Sequence, residues 1–228
     1  KYGIDTARIF LMSVASPESY IEWSDNGVEG SYRFLQKIWK ISESRMMKPN
    51  ERDIHKQNLT IKNCTKLLED FKFNLTIIEL MKYADYLQGN PTKEGYETLL
   101  KLLSLFAPHT AEELWHKFNK SFVSLEKFPI YDEKKINLKI EEQEKDIEKT
   151  VDDINNIIRI FKEKSKLVSK AYVYVIPNEK QAYFDGLDVI KRRTSLNVSV
   201  FAVDDKEKYD PENKSKKARP GKPAIFLE

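Results

Sequence analysis

The sequence predicts a mostly α protein: an antiparallel helical bundle followed by a small α+β domain with a short sheet. Three observations lead there. Apolar residues recur at threes and fours, the period of a helix face, through five successive segments between Asn26 and Phe118. The connections between those segments are short and marked by Pro49, Gly89-Asn90-Pro91 and Pro108. After Pro129 the character changes, and β-branched and aromatic runs bounded by turn formers appear for the first time.

Residues 2–15 read as a helix with Asp5 near its start. Ile9, Phe10, Leu11 and Met12 make it apolar on more than one face, so it is expected to be buried on both sides or packed against something outside this chain. Pro17 ends it, and 16–24 connect. Residues 23–39 organise the rest of the bundle. Ser24 is an N-cap candidate and Asp25 sits where a helix dipole favours a carboxylate. Val28, Tyr32, Leu35, Trp39, Ser42 and Met46 then form one stripe of a helix over 26–47, closed by Pro49. Such a stripe needs other helices to cover it. The second helix carries Ile54, Ile61, Cys64, Leu68 and Phe71. The third spans 74–87 with Ile77, Met81 and Ala84 inward. Thr92 can cap a fourth, with Tyr96, Leu99, Leu103 and Phe106, which Pro108 breaks. Thr110 and Glu113 have capping-box spacing for a fifth carrying Leu114, Trp115 and Phe118. Five amphipathic helices with short connections argue a bundle.

Residues 131–137 are polar and read as a linker, separating the bundle up to 131 from 132–228. Ile147, Val151, Ile154, Ile158 and Phe161 mark one more long helix. Strands are expected at 171–177 and 197–203, with a helix over 180–194 between them and a possible third strand at 224–228. A helix packed on a short sheet is the natural arrangement. The charged run 204–222 reads as a loop, and no internal repeat is visible.

Composition narrows function mainly by exclusion. Cys64 is the single cysteine, which rules out an internal disulfide framework or Cys-based zinc ribbon and fits a cytoplasmic protein. No run approaches the roughly 18 apolar residues of a membrane span, and no secretion signal opens the chain. The first residue is not Met, so the chain is expected to be part of a longer one. A net charge of +3 says little without clustering. No phosphate-cradling glycine motif is present. His55, His109 and His116 read as exposed or capping residues, with no partner at metal spacing. Glu112 and Glu113 are explained by a helix start, and no nucleophile–base arrangement can be nominated. No catalytic, cofactor or metal residues are therefore expected here, and the chain alone should not catalyse.

The basic residues are more informative. Arg33, Lys37 and Lys40 lie on one side of the 26–47 helix, although Glu29 can pair with Arg33. Lys191, Arg192 and Arg193 fall near a helix end, where cations also suit the dipole. Lys214, Lys216, Lys217, Arg219 and Lys222 fall within nine residues with no acid among them. Phosphate contact explains such a loop best, with a solubilising tail as the alternative.

With those residues laid out, the chain resembles the C-terminal part of an archaeal-type leucyl-tRNA synthetase. Tyr2-Gly3-Ile4-Asp5-Thr6-Ala7-Arg8 resembles the segment after the KMSKS loop of such class I enzymes. Trp23-Ser24-Asp25-Asn26-Gly27-Val28-Glu29-Gly30, with Arg33-Phe34-Leu35 and Trp39, resembles the opening of their helical anticodon-binding domain. Phe73-Asn74 with 77–81 is similar to the next bundle helix, and Ala107-Pro108-His109-Thr110-Ala111-Glu112-Glu113-Leu114-Trp115 to a late motif shared with isoleucyl and valyl enzymes. Ala218-Arg219-Pro220-Gly221-Lys222-Pro223-Ala224-Ile225 looks like the leucyl tail.

The resemblance implies a bundle of the class I anticodon-binding type over 23–131, a C-terminal tRNA-binding domain over 132–228, and residues 1–22 as connector from a catalytic domain. The family's HIGH-type and KMSKS-type motifs are absent. Leucine activation, with its ATP and Mg2+, would belong to that other domain of the same protein. The implied partner is leucine tRNA with its long variable arm, met by the basic loop together with Ile225 and Phe226; no membrane partner is implied, and a monomer is expected. Alternatives are an isoleucyl- or valyl-type fragment, a protein-interaction helical module, or a free-standing RNA-binding protein.

Overall fold

Ser24 does what its sequence position predicts. In the structure, a computed structural model describing residues 2–14, 23–163 and 167–228, its hydroxyl accepts from the Gly27 amide at 3.3 Å and opens a helix. The expected connection at 16–22, with Pro17, lies outside the described residues. The chain forms two compact units, Lys1–Asn137 and Leu138–Glu228.

The first unit holds α1 (Ile4–Val14), α2 (Asp25–Ser42), α3 (Glu51–Glu69), α4 (Phe73–Gly89), α5 (Lys93–Leu103) and α6 (Pro108–Trp115). Its core runs from Ile9 through Ile38, Ile77, Leu80, Tyr83, Tyr96, Leu99 and Leu103 to Leu114. The buried stripe of α2 is Val28, Ser31, Phe34, Leu35, Ile38 and Ile41, rotated from the predicted one, so that Tyr32, Trp39, Ser42 and Met46 flank the core. The helix also stops before 47. Met47 N–H donates to the Pro91 carbonyl at 2.7 Å, which requires an extended path there. At its start, Gly27 lets α1 approach, since a Cβ would stand 2.5 Å from the Phe10 ring.

Burial on both sides does not hold for α1. Ile9 and Phe10 are buried, whereas Ile4, Leu11 and Val14 face outward. In α3 the buried face is polar, formed by Asp53, His55, Asn58 and Thr60 beside Ile61 and Cys64, while Phe71 is exposed. That polarity explains residues 131–137, which are not a free linker. Asn58 Oδ1 accepts from Asp132 N–H at 2.8 Å, and the fully buried His55 accepts from Asn137 N–H through Nδ1 at 3.0 Å. The segment therefore belongs to the first unit, and the division falls after 137 rather than 131.

The predicted Thr110/Glu113 capping box is absent. Pro108 occupies the first turn of α6 instead of breaking a helix, and the residue before it, Ala107, has no capping side chain. The acceptor comes from α1: Asp5 Oδ2 takes the Thr110 amide at 2.6 Å and Oδ1 lies 3.0 Å from His109 Nδ1. One turn on, Arg8 donates to the carbonyl of Phe106 at 2.9 Å, beyond the end of α5. An acid at one helix start and a cation at the preceding helix end follow dipole logic. Glu112 serves another turn, accepting from the amides of Val123 and Ser124. Those bonds and the Ser124 hydroxyl hold its carboxyl below the ordinary range, against burial acting the other way.

The second unit starts with α7 (Leu138–Glu163), which buries Ile147, Thr150, Val151 and Ile154. Then come β1 (Lys170–Val175), α8 (Lys180–Asp185), α9 (Leu187–Thr194), β2 (Asn197–Ala202) and β3 (Ala224–Leu227). The single helix predicted over 180–194 is broken at Gly186, where a Cβ would lie 2.6 Å from Ile147 Cδ1 of α7. The strand order is β2-β1-β3, with β1 parallel to β2 and antiparallel to β3. Parallel pairing follows from the helical crossover between β1 and β2. Ala171, Val173 and Val175 face the helices, and Tyr172 and Tyr174 face the opposite side.

Candidate nucleic-acid interface

The basic tail is a built feature. Residues Lys214–Lys217 form a 3-10 turn, entered through Asn213 at φ +55°. Asp210 caps it, its carboxylate accepting from the amides of Lys214 at 2.7 Å and Ser215 at 3.0 Å. Burial raises the Asp210 carboxyl, but bonds from Ser215 and Lys214 outweigh it and bring the group below the usual carboxylate range. Ser215 and Ala218 point inward, which leaves Lys216 and Lys217 exposed.

Arg219 and Lys222 then face each other across a two-residue turn, exchanging both backbone hydrogen bonds at 2.9 Å. Gly221 makes the turn possible with φ +66°, and its amide donates to Glu179 Oε1 at 2.8 Å. Like charges directly opposite on paired backbone are destabilising. An anion placed between Arg219 and Lys222 would relieve that repulsion.

The five cations are not equivalent. Lys214 pairs with Glu212 at 3.1 Å and sits over the Phe226 ring at 5.0 Å. The run itself holds no acid, but Glu212, just before it, neutralises Lys214. Among the described residues, Lys216, Lys217, Arg219 and Lys222 form no ion pair within 4 Å, and all are exposed. Ile225 packs half-buried against the helical side of the sheet, so it is a structural residue. Phe226 lies on the other face, stacked at 5.9 Å on Tyr172.

The remaining predicted residues are dispersed. Arg193 lies 3.9 Å from both Glu148 and Asp152 of α7, and Arg192 Nε reaches back to the Asp188 carbonyl at 3.4 Å. Both lie on α9, whose Leu187 and Ile190 pack on the helical side of the sheet. On α2, Lys37 is bound to Asp85 of α4. Arg33 and Lys40 are exposed and form no ion pair among the described residues, so the expected Glu29 partner is not engaged. Three aromatic residues were not predicted: Tyr172 and Tyr209, which pack against Phe226, and Phe201, which stacks on Tyr172 from the β2 side. The alternation of aromatic and aliphatic residues in 171–175 and 197–202 was the available signal.

No group of three or more His, Cys, Asp or Glu among the described residues could hold a metal ion. Nor is any helix there long and apolar enough to cross a membrane. The Cys64 thiol is buried and pushed up to about 12, with Glu79 adding to the shift, which suits packing and not nucleophilic chemistry. The arrangement offers a fixed array of exposed cations beside aromatic rings.

Residues 54–176 match the family model described as the anticodon-binding domain of tRNA ligase. A leucine–tRNA ligase of Prochlorococcus marinus subsp. pastoris is 39% identical over 153 residues, covering 58% of this chain and 18% of that relative. Another from Prochlorococcus marinus is 34% identical over 210 residues, covering 82% of this chain and 24% of the relative. Among solved structures, a ternary LeuRS–tRNA–LeuAMS complex from Agrobacterium radiobacter aligns with a TM-score of 0.53 and 27% identity, over 60% of this chain and 20% of that one. The chain thus spans between 18% and 24% of the length of these curated relatives. They are bacterial, so the archaeal qualifier read from the sequence gains no support from them.

Proposed function

This chain belongs to the family of anticodon-binding domains of tRNA ligases, and on that premise we propose that it is the part of a leucine–tRNA ligase that positions leucine tRNA. Leucylation itself would occur in a catalytic domain outside these 228 residues, where ATP and Mg2+ would bind. The observation that carries the reading is the pinned basic turn: Lys216, Lys217, Arg219 and Lys222 stand exposed on backbone held by Asp210 and Glu179. Contacts to phosphates set register and orientation without reading sequence. Folded RNA is recognised through shape, 2′-OH groups and unpaired loop bases. In the finer form of the proposal, the turn meets the long variable arm of leucine tRNA, while Arg33 and Lys40 of α2 supply secondary phosphate contacts.

The test is a binding titration of leucine tRNA against a tRNA with a short variable arm. Tighter binding of leucine tRNA, abolished by Ala at positions 216, 217, 219 and 222 together, supports the proposal. Equal affinity for the two tRNAs contradicts the variable-arm assignment.

A second, compatible reading has its own observation. Phe122, Leu125, Phe128 and Ile130 project from the first unit, Leu125 and Ile130 being 80% and 85% exposed. An apolar run of this kind favours contact with another protein surface, and a domain of the same ligase meets that description.

A further inference from the structure

One face of the three-stranded sheet remains half-open once the helices are packed. Tyr172 of β1 stacks with Phe226 of β3 at 5.9 Å and 26°, and with Phe201 of β2 at 6.5 Å and 19°. A row of nearly parallel rings therefore crosses all three strands. Tyr174, at one end, is fully buried and donates to the Tyr209 carbonyl, which fixes the covering loop over that end. Tyr172, Phe201 and Phe226 are only half-buried, and Tyr209, 45% exposed, tilts over Tyr172 at 4.8 Å.

The surroundings of the row are polar and cationic. Side chains alternate along a strand, so Asn197 and Ser199 of the edge strand β2 share this face with Phe201. Lys170 is the register partner of Asn197, and Ser199 that of Tyr172. Lys214 closes the other side, over Phe226. Acids also stand at the rim: Glu228 accepts from the Tyr172 hydroxyl at 3.2 Å, and Glu212 pairs with Lys214 at 3.1 Å. A face meant only to complete a core has no use for half-exposed rings bordered by amide, hydroxyl and ammonium groups. Bases stack on such rings whatever their identity, while ammonium groups take the adjoining phosphates.

We propose that this face is a stacking platform for unpaired RNA, one base lying against Phe201 and Tyr172, with Asn197 and Ser199 at its edge and Lys170 and Lys214 at flanking phosphates. The inference rests on reading the chain as an RNA binder, and it adds the element bound: a single-stranded loop instead of a helix. The base lies on the β2 side of the row, while Phe226 carries Lys214 over its ring at 5.0 Å.

The test uses the 228-residue chain with Phe201→Leu and Tyr172→Leu, which keep apolar bulk and remove the ring. Binding is measured to a short single-stranded RNA and to a duplex of the same sequence, and a 4-thiouridine-substituted strand is photocrosslinked to the unsubstituted chain. The expected result is a loss of about fivefold or more in single-strand affinity for each variant, an unchanged duplex affinity, and crosslinks at Phe201 or Tyr172. Parental affinity in variants with unchanged thermal midpoints overturns the platform. If a variant does not fold, the crosslink decides, and its absence from both residues also overturns the platform. Concentration-dependent dimers that disappear in Phe201→Leu would overturn it too, by assigning the face to a second copy. These outcomes are separable from failure of the tRNA reading, which shows as leucine-tRNA affinity unaffected by Ala at 216, 217, 219 and 222.

Discussion

Replacing Asp5 with Ala removes a helix cap supplied from 105 residues away. The carboxylate is 5% exposed, and its two oxygens face the Thr110 amide at 2.6 Å and His109 Nδ1 at 3.0 Å. Losing a cap costs about 0.5–2 kcal/mol, and an amide left without an acceptor costs about 1–3 kcal/mol. Both costs concern the same amide and overlap, so the expected loss is about 2 kcal/mol. At this chain size that lowers the thermal midpoint by roughly 4–8 °C. Asp5→Asn keeps an acceptor for Thr110 and should lose roughly half as much. Thr110→Ala is the discriminating control, because the hydroxyl of Thr110 does not cap α6; it should stay within about 0.5 kcal/mol of the parent. Thermal unfolding followed by circular dichroism reads all three. A Thr110→Ala variant as destabilised as Asp5→Ala would refute the reasoning and restore the local capping box.

Three further outcomes are expected. Gly95→Ala places a Cβ 2.6 Å from Thr92 Oγ1 and 2.9 Å from Tyr83 Oη, so overpacking of about 1–3 kcal/mol should outweigh the helix preference of Ala, seen as a lower denaturant midpoint at unchanged m-value. Cys64, with its thiol raised to about 12 by burial, should resist iodoacetamide in the native protein and react only as denaturant unfolds it, read by mass spectrometry. Asp210 has a folded pKa below its unfolded one, so its contribution is present above the unfolded carboxylate value of about 3.9 and is lost as pH falls through the lower folded value. The Ser215 amide resonance should titrate in that acid window and lose the transition in Asp210→Asn.

The helices of the first unit were legible because their apolar spacing is long and regular, and Ser24 and Thr92 both cap as their positions predict, at 3.3 Å and 3.2 Å. What escaped was long-range polar chemistry. The cap on α6 comes from Asp5, and local spacing alone favoured Thr110. His55 read as an exposed or capping residue, yet it and Asn58 hold the polar segment 131–137. The Asp185-Gly186 pair is a turn signal that the 180–194 reading passed over, and the close approach of Ile147 to Gly186 is visible only in the fold. At the interface, the charge run 214–222 could be seen directly. Lys37, Arg192 and Arg193 could not be separated from it by sequence, since their partners lie on α4, within α9 and on α7 respectively. The aromatic row was hidden for a related reason: strand alternation shows two faces, but only the fold shows which one the helices cover.

The most direct measurement of the central claim is the salt dependence of leucine-tRNA binding, taken for the parent chain and for the variant with Ala at 216, 217, 219 and 222. Each phosphate that the protein no longer neutralises reduces the slope of log K against log salt by about 0.7–0.9. If the four exposed cations touch RNA, the variant should bind more weakly and its slope should be shallower by about 3. Identical slopes and affinities in the two proteins would contradict the account.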